Sequence, residues 1–370
     1  MSTLTQQQVD VIASRVLDLL KTPGSQSVEA CSTTQETAQC QTQPGAFPTV
    51  DAAVNAARKA HDQLMTMTLA KRDEIIASIR KKMLEHAEDL GKRAHTETDL
   101  GRPEDKLLKN RLVTEKTPGT EALIPTATSG DRGLTLMERA PYGVIGAITP
   151  STNPTSTIIC NTIGMVAAGN GVAFNVHPMA KEVSLRNVAL INDAITEVGG
   201  PPNLVTTVAE PTVESAQELM KHPGVRLLVV TGGAGVVKAA MTSGKRAICA
   251  GPGNPPAVVD ETADIENAAK SIVLGGSMDN NIICVDEKEV FVVESVADQL
   301  ISALSKNDAV VLNSDQIQQV EKVIFAENRG PRKPAVMEKS LVGKNVGAIL
   351  SKIGMQVEDR IRLAVLPVDQ

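Results

Sequence analysis

Short apolar runs rich in β-branched residues alternate along the chain with longer segments whose apolar residues recur at helical spacing. The predicted strands are residues 144–148, 172–176, 204–208, 225–230, 246–250 and 289–293. The predicted helices are residues 50–65, 71–96, 155–168, 182–198, 213–221 and 235–241. Because strand and helix alternate steadily, we expect a parallel sheet with helices on both faces, an α/β fold.

The start of the chain has a separate amphipathic pattern. Across residues 1–21, apolar positions such as Val9, Ile12 and Val16 recur at helical spacing, which predicts a helix. Residues 22–46 contain Pro, Gly, Ser, Thr and Gln with almost no large apolar residue, which predicts a flexible linker. The helix could pack on its own domain or dock onto a partner, and its position on a tether favours docking.

Composition narrows the class of protein. Hydrophobic residues make up 42% of the chain and charged residues 22%, as is ordinary for globular proteins, but there is no Trp and only one Tyr. Aliphatic side chains must therefore fill the core. The net charge of −6 and the scattered basic residues argue against a nucleic-acid partner. Apolar runs are too short for a membrane helix, and no secretory signal is recognisable.

The cysteines, at positions 31, 40, 160, 249 and 284, show no metal-binding or disulfide spacing. We expect no metal site, and free thiols in a reducing cytoplasm. Cys160 lies among isoleucines of a predicted helix and Cys249 ends a predicted strand, so both are interpreted as small buried hydrophobes. Cys284 follows a polar, Asn-rich segment, and composition alone favours a packing role for it over a catalytic one.

Three loops rich in Gly, Pro, Ser, Thr and Asn follow predicted strands, at residues 149–154, 231–235 and 251–256. Sheets of this kind bind ligands at the carboxyl ends of their strands, where glycines and helix N-termini accommodate phosphates. None of the loops has the GxGxxG pattern of an ordinary dinucleotide site. Taken alone, each loop is equally consistent with a structural turn.

Together, these segments resemble the CoA-acylating aldehyde dehydrogenases, and most closely the ethanolamine- and propanediol-utilisation branch found in bacterial microcompartments. The resemblance spans residues 50 to 370, with its motifs in the family's order. The matching segments are Gly101-Arg102-Pro103-Glu104-Asp105-Lys106, Tyr142-Gly143-Val144-Ile145, Thr149-Pro150-Ser151-Thr152-Asn153-Pro154, Ala168-Gly169-Asn170, Thr231-Gly232-Gly233, Gly251-Pro252-Gly253-Asn254-Pro255-Pro256 and Asp279-Asn280-Asn281-Ile282-Ile283-Cys284.

The resemblance implies roles for individual residues. Cys284 matches the catalytic thiol, and Asn153 matches the asparagine whose amide holds the oxyanion together with the backbone N–H of the cysteine. Hydrolytic relatives carry Lys-Pro where this chain has His-Pro. The residues implied to bind NAD are Thr149, Pro150, Ser151, His177, Pro178, Thr231, Gly232, Gly233, Val236 and Gly251.

The implied reaction oxidises a short-chain aldehyde with NAD, forms a thioester on the cysteine and transfers the acyl group to coenzyme A. Hydrolytic aldehyde dehydrogenases place a glutamate base in the loop corresponding to residues 250–254, which has no carboxylate here. The alternatives are a hydrolytic aldehyde dehydrogenase and a non-catalytic, dehydrogenase-like assembly subunit. The sequence does not choose between acetaldehyde, propionaldehyde and lactaldehyde, since a methyl or hydroxyl group is worth only about 1–3 kcal/mol in a pocket.

The resemblance also implies how the chain is organised. We expect an NAD-binding domain at residues 47–252, with an oligomerisation hairpin near residues 130–140, and a catalytic domain at residues 253–370. A homo-oligomer is expected. The N-terminal helix and linker resemble encapsulation peptides that bind shell proteins, which predicts a location in the bacterial cytoplasm, within a microcompartment.

The family continues past the segment that ends here at Gln370, through a glutamate that binds the nicotinamide ribose. We therefore expect either a native gene product longer than this 39.0 kDa chain or little activity from the chain alone.

Overall fold

The computed structural model describes residues 43–330, 333 and 335–368, so the predicted helix at residues 1–21 and most of the predicted linker lie outside the described residues. The helices are α1 (Val50–Leu64), α2 (Leu69–Glu85), α3 (Ala87–Thr98), α4 (Pro103–Lys116), α5 (Pro154–Ala167), α6 (Lys181–Glu197), α7 (Val213–Lys221), α8 (Ala234–Met241), α9 (Ile265–Ser277), α10 (Glu294–Lys306), α11 (Ser314–Ile324) and α12 (Val346–Leu350). The strands are β1 (Ala46–Phe47), β2 (Thr126–Gly130), β3 (Gly133–Met137), β4 (Val144–Ile148), β5 (Gly171–Asn175), β6 (Val205–Val208), β7 (Val225–Thr231), β8 (Ala247–Ala250), β9 (Pro256–Val259), β10 (Glu289–Val292), β11 (Ala309–Val311), β12 (Phe325–Glu327), β13 (Val336–Met337) and β14 (Leu363–Val365).

The largest sheet has the strand order β1-β6-β5-β4-β7-β8, and every neighbouring pair is parallel. Every residue of the central strands β4 and β5 is buried. Alternate residues of β4 enter different apolar clusters: Ile145 packs with residues of α5 and α6, and Val144 packs with residues of α1 and α7. Helices therefore cover both faces of the sheet, which confirms the predicted α/β fold.

Most predicted elements agree with the structure to within a residue or two. The first five predicted strands all lie in this sheet, with ends shifted by one residue at most. The sixth, at residues 289–293, is outside it: β10 pairs in parallel with β9 in a separate two-stranded sheet. The single helix predicted over residues 71–96 is in fact two, because His86 leaves helical geometry with φ −102° and ψ 6°.

The end of the predicted linker at residue 46 needs correction. Ala46 belongs to β1, which pairs with β6 at the sheet edge. The carbonyl of Gly45 accepts a hydrogen bond of 2.8 Å from the backbone N–H of Thr207. Backbone pairing of this kind needs no apolar side-chain pattern, so composition did not reveal it.

Residues beyond β8 build two further apolar clusters. One includes Val259, Ile272 and Leu300, on β9, α9 and α10. The other includes Val320 of α11 and Leu350 of α12. The expected boundary between residues 252 and 253 falls between β8 and β9, and the division into two domains stays a prediction.

An antiparallel hairpin of β2 and β3 forms where one was expected, starting slightly earlier in the chain. All residues of both strands are exposed. Its role in oligomerisation stays a prediction. Among the described helices, none combines the length and apolar character needed to cross a membrane.

Candidate active site

A cavity of about 650 Å³ opens at the carboxyl ends of the sheet strands β4, β5, β7 and β8. Parallel strands end at the same edge, so the loops that follow them meet there. The cavity brings together every site residue expected from the sequence. These are Cys284, Asn153, Thr149, Pro150, Ser151, His177, Pro178, Thr231, Gly232, Gly233, Val236 and Gly251.

Cys284 lies in a tight turn beside the loop between β8 and β9. The residue is half-buried, and the backbone N–H of Ile283 donates a 3.1 Å hydrogen bond to Asp286 Oδ2. Lys288 Nζ donates to the carbonyl oxygen of Ile283 at 2.9 Å. The backbone N–H of Cys284 donates no hydrogen bond to any described residue, which leaves it available to a ligand.

Gly253 touches the other side of this turn. A Cβ atom at this position would overlap the carbonyl oxygen of Cys284. Glycine is therefore required by the close approach of two backbones. The loops at residues 251–256 and 279–284, which the sequence suggested separately, form one packed unit.

The segment that precedes Cys284 is strained. Asp279, Asn280 and Asn281 have φ values of 48°, 57° and 61°. These values lie in the left-handed region of the backbone, which residues other than glycine rarely adopt. Such strain costs on the order of 1–3 kcal/mol per residue and persists only where the surroundings impose it. Consecutive left-handed residues here imply strong anchoring of the segment.

Asp279 supplies the main anchor, and its side chain is completely buried. Its Oδ1 accepts a 2.7 Å hydrogen bond from the backbone N–H of Arg102, and its Oδ2 accepts from Lys106 at 2.9 Å and from Lys109. Its own backbone N–H donates to Asp105 Oδ2 at 2.9 Å. All these partners lie on α4 or at its start.

The two asparagines anchor the segment on other sides. Asn280 Nδ2 donates a 2.9 Å hydrogen bond to the carbonyl of Gly343. Asn281 Nδ2 donates to the carbonyls of Gly276 at 2.6 Å and Glu287 at 3.0 Å. The polar composition that singled out this segment therefore reflects the bonds that hold the cysteine turn in place.

Asn153 precedes α5 and lines the cavity. Its Oδ1 accepts a 2.6 Å hydrogen bond from Lys109 Nζ, and its Nδ2 donates to Thr152 Oγ1 at 3.1 Å. Burial lowers the pKa of Lys109 to about 8, opposed by the attraction of Asp279. Lys109 was missed by sequence reasoning, since hydropathy patterns give no signal for a buried charged face.

Other residues of the cavity wall have features that fit a dinucleotide. Thr149 is buried, and its Oγ1 has no partner among the described residues. Gly233 caps α8 without any side-chain hydrogen bond, so the first backbone N–H groups of that helix remain free for a phosphate. His177 Nδ1 accepts the backbone N–H of Met179 at 3.2 Å, and burial lowers the pKa of this imidazole.

The cavity wall contains few side chains that can carry a charge or exchange a proton. Its charged or titratable side chains are His177, Lys288 and Cys284, and no Asp or Glu belongs to the described residues that line it. Asn254, at the end of the loop 250–254, donates a 2.6 Å hydrogen bond to Glu289 outside the wall. Among the described residues, the cavity wall therefore contains a thiol, side-chain amides and hydroxyl groups, and no carboxylate that could activate water.

Comparison with known proteins agrees with this site. The model of the aldehyde dehydrogenase family matches residues 21–319. The acetylating acetaldehyde dehydrogenase EutE of Escherichia coli K12 is 49% identical over 320 residues, which cover 86% of this chain and 68% of that protein. The chain therefore belongs to the aldehyde dehydrogenase family, and its relatives place it in the CoA-acylating branch.

Two solved structures show the same likeness. One is propionaldehyde dehydrogenase from Rhodopseudomonas palustris with bound CoA and an acylated cysteine, with 47% identity, a TM-score of 0.83, and coverage of 88% of this chain and 73% of that one. The other is propionaldehyde dehydrogenase from the Clostridium phytofermentans fucose utilisation bacterial microcompartment, with 44% identity, a TM-score of 0.82 and the same coverage.

We predict that Gly253→Ala lowers the free energy of unfolding by about 1–3 kcal/mol, since the new methyl group must displace the Cys284 carbonyl. Gly164→Ala in α5 is the matched control, because a Cβ there meets no atom within 4 Å. It should leave stability unchanged or raise it by about 0.5–1 kcal/mol. Denaturant unfolding followed by circular dichroism measures both. Equal stability of the two variants would show that the turn moves freely.

Asp286 predicts a pH dependence of stability. Burial raises the pKa of its carboxyl to about 6. The folded chain therefore keeps a proton that the unfolded chain releases between about pH 4 and pH 6, so this group makes stability fall as pH rises through that range. Asp286→Asn keeps an acceptor for the backbone N–H of Ile283 and removes the titration.

Relative to the unaltered chain, Asp286→Asn should gain on the order of 2 kcal/mol of stability between pH 4.5 and pH 6.5. Urea unfolding of both proteins at these two pH values measures the change, and groups that titrate in both cancel. A difference independent of pH would contradict the prediction.

Proposed function

We propose that Cys284 is the nucleophile of a CoA-acylating aldehyde dehydrogenase, and that Asn153 is its oxyanion donor. The observation that carries this proposal is the composition of the cavity wall: a half-buried cysteine and an amide in the described residues, with no carboxylate. The relatives support the acylating activity and neither of the alternatives.

Attack of the Cys284 sulfur on the aldehyde carbon makes a C–S bond and places a negative charge on the former carbonyl oxygen. Asn153 and Cys284 line the same cavity, and the proposed donors are Asn153 Nδ2 and the backbone N–H of Cys284, which donates to no described residue. Preorganised donors of this type are worth about 3–4 kcal/mol each to a developing oxyanion. Loss of hydride from the carbon restores the C=O bond and leaves a thioester on the cysteine.

NAD supplies the hydride acceptor when it is bound. The unpartnered hydroxyl of Thr149, the backbone around Gly232 and Gly233 and the neutral ring of His177 are the groups that would hold it. These groups line the cavity where β4, β5 and β7 end and α8 begins.

The fate of the thioester follows from the missing carboxylate. No Asp or Glu among the described wall residues can remove a proton from water, so hydrolysis is slow. The thiolate of coenzyme A attacks the acyl carbon, the bond to Cys284 breaks and acyl-CoA leaves. The cysteine thiolate is regenerated for the next turnover.

Substrate size is proposed from the relatives. EutE of Escherichia coli is named for acetaldehyde and the Rhodopseudomonas palustris enzyme for propionaldehyde. We propose a short-chain aldehyde for this chain, without choosing between them.

Recruitment to a microcompartment is proposed as a separate property. It is supported by the amphipathic pattern of residues 1–21 and by the relative from a fucose utilisation microcompartment. Self-association through the β2–β3 hairpin is proposed on its exposed apolar side chains, which include Leu134, Leu136 and Met137.

We predict that the chain with NAD and aldehyde, but without coenzyme A, forms only about one NADH per active site, with continuous NADH production once coenzyme A is added. Cys284→Ala should abolish both phases and the mass increase of the acylated protein. Cys160→Ala and Cys249→Ala are matched controls, since both residues are also half-buried cysteines but lie outside the cavity wall. Continuous NADH production without coenzyme A would point to hydrolysis, and an active Cys284→Ala would refute the nucleophile.

We predict that a chain starting at Gln43, just before β1, keeps its kinetics and no longer co-purifies with shell proteins. Val9→Asp with Ile12→Asp should have the same effect, because it places charge on the apolar side of the predicted helix. Gln7→Ala with Asp10→Ala changes the opposite side of the predicted helix and is the matched control. Poor folding of the shortened chain would contradict docking, since the segment would then belong to the core.

A further inference from the structure

We infer that Lys109 is a positioning residue that fixes the amide of Asn153 in its oxyanion-binding orientation, and that Asp279 ties this amide to the cysteine turn. The inference rests on the proposed role of Asn153. It assigns a function to a buried cation that takes no part in the chemical steps.

The contact between Lys109 and Asn153 determines which way the amide points. Lys109 Nζ lies 2.6 Å from Asn153 Oδ1. An ammonium group has only donors, so it selects the oxygen of an amide whose two ends are nearly equal in size. The NH₂ group is thereby turned away from Lys109, and it donates at 3.1 Å to Thr152 Oγ1, another residue of the cavity wall. Without the lysine, the amide is free to rotate and present its oxygen to the oxyanion.

Lys109 is itself held in one place. It is 8% exposed, and it donates to the fully buried carboxylate of Asp279 and, at 3.5 Å, to the carbonyl of Thr152. Charges in such a water-poor site interact far more strongly than on the surface. Asp279 is fixed in turn by the backbone N–H of Arg102 and by Lys106. These contacts hold the ammonium group of Lys109 in one position.

The same carboxylate controls both halves of the site. Asp279 begins the left-handed segment that leads to Cys284, and its side chain holds the lysine that orients Asn153. This carboxylate therefore links the segment before the nucleophile to the lysine that orients the oxyanion donor. Errors of about 1 Å in such geometry can cost about 100-fold in rate.

Lys106 offers a matched control on the same helix. It is 2% exposed and donates to the same Oδ2 of Asp279, and it also contacts the carbonyl of Thr152 at 3.3 Å. Unlike Lys109, it makes no hydrogen bond to the side chain of Asn153. Lys106→Met therefore removes a buried cation from Asp279 and leaves the amide contact intact.

The experiment is a double-mutant cycle read by the rate of the NADH burst. Asn153→Ala should slow acylation by about 100- to 1000-fold. Lys109→Met should slow it by about 10-fold or more, and the double variant should match Asn153→Ala within about 3-fold, because the lysine acts only through the asparagine. Lys106→Met removes a cation from Asp279 but not the contact with the amide, so it should slow acylation less than Lys109→Met does, and its effect should multiply with that of Asn153→Ala. The KM for NAD should be unchanged by Lys109→Met.

Other results of this experiment would contradict either the inference or the proposed role of Asn153. Multiplicative effects in the double variant, or equal losses in Lys109→Met and Lys106→Met, would overturn the inference while leaving the role of Asn153 intact. Unimpaired acylation by Asn153→Ala would instead refute the proposed function of that residue, and the inference with it. Circular dichroism verifies folding. If Lys109→Met does not fold, Lys109→Ala, which also has no side-chain donor, replaces it in the cycle, with the same expected pattern.

Discussion

The rest of the site depends on the ion pairs and the hydrogen bond that the buried carboxylate of Asp279 makes. Removing a carboxylate from water costs several kcal/mol, and here the cost is offset by two lysines and a backbone N–H. Such a cluster contributes little net stability compared with an apolar core of equal volume. Its contribution is geometrical, because charges that cannot be left unpaired allow only one arrangement of α4, the cysteine turn and the loop before α5.

The left-handed backbone of residues 279–281 and the charged side chains around Asp279 depend on each other. Left-handed backbone at Asp279 points its side chain toward α4 and lets its own N–H reach Asp105. Arg362, from the end of the described chain, pairs with Asp105. Segments distant in sequence therefore converge on α4, which acts as the common support of the site.

Much of the fold could be predicted from the sequence because β4 and β5 are buried on both faces, so their apolar runs are uninterrupted. The position of the cavity could be predicted because the loops that follow parallel strands meet at one edge of the sheet. The sequence did not reveal β1, which pairs through its backbone, or the short strand β9. Nor did it reveal Lys109 and Asp279 as partners, since an ion pair between residues 170 positions apart leaves no local pattern.

Gly253 limits how this enzyme could change its chemistry over evolution. Its α-carbon faces the carbonyl of Cys284 so closely that any side chain would move the nucleophile. A mutation that introduces a water-activating carboxylate at this position would thus damage the site that it is meant to serve. Ala250, Gly251 and Pro252 also line the cavity without this restriction, since none of them has a Cβ position blocked by the cysteine backbone. The route from an acyltransferring to a hydrolysing descendant therefore passes through those neighbouring positions, and the glycine stays fixed along it.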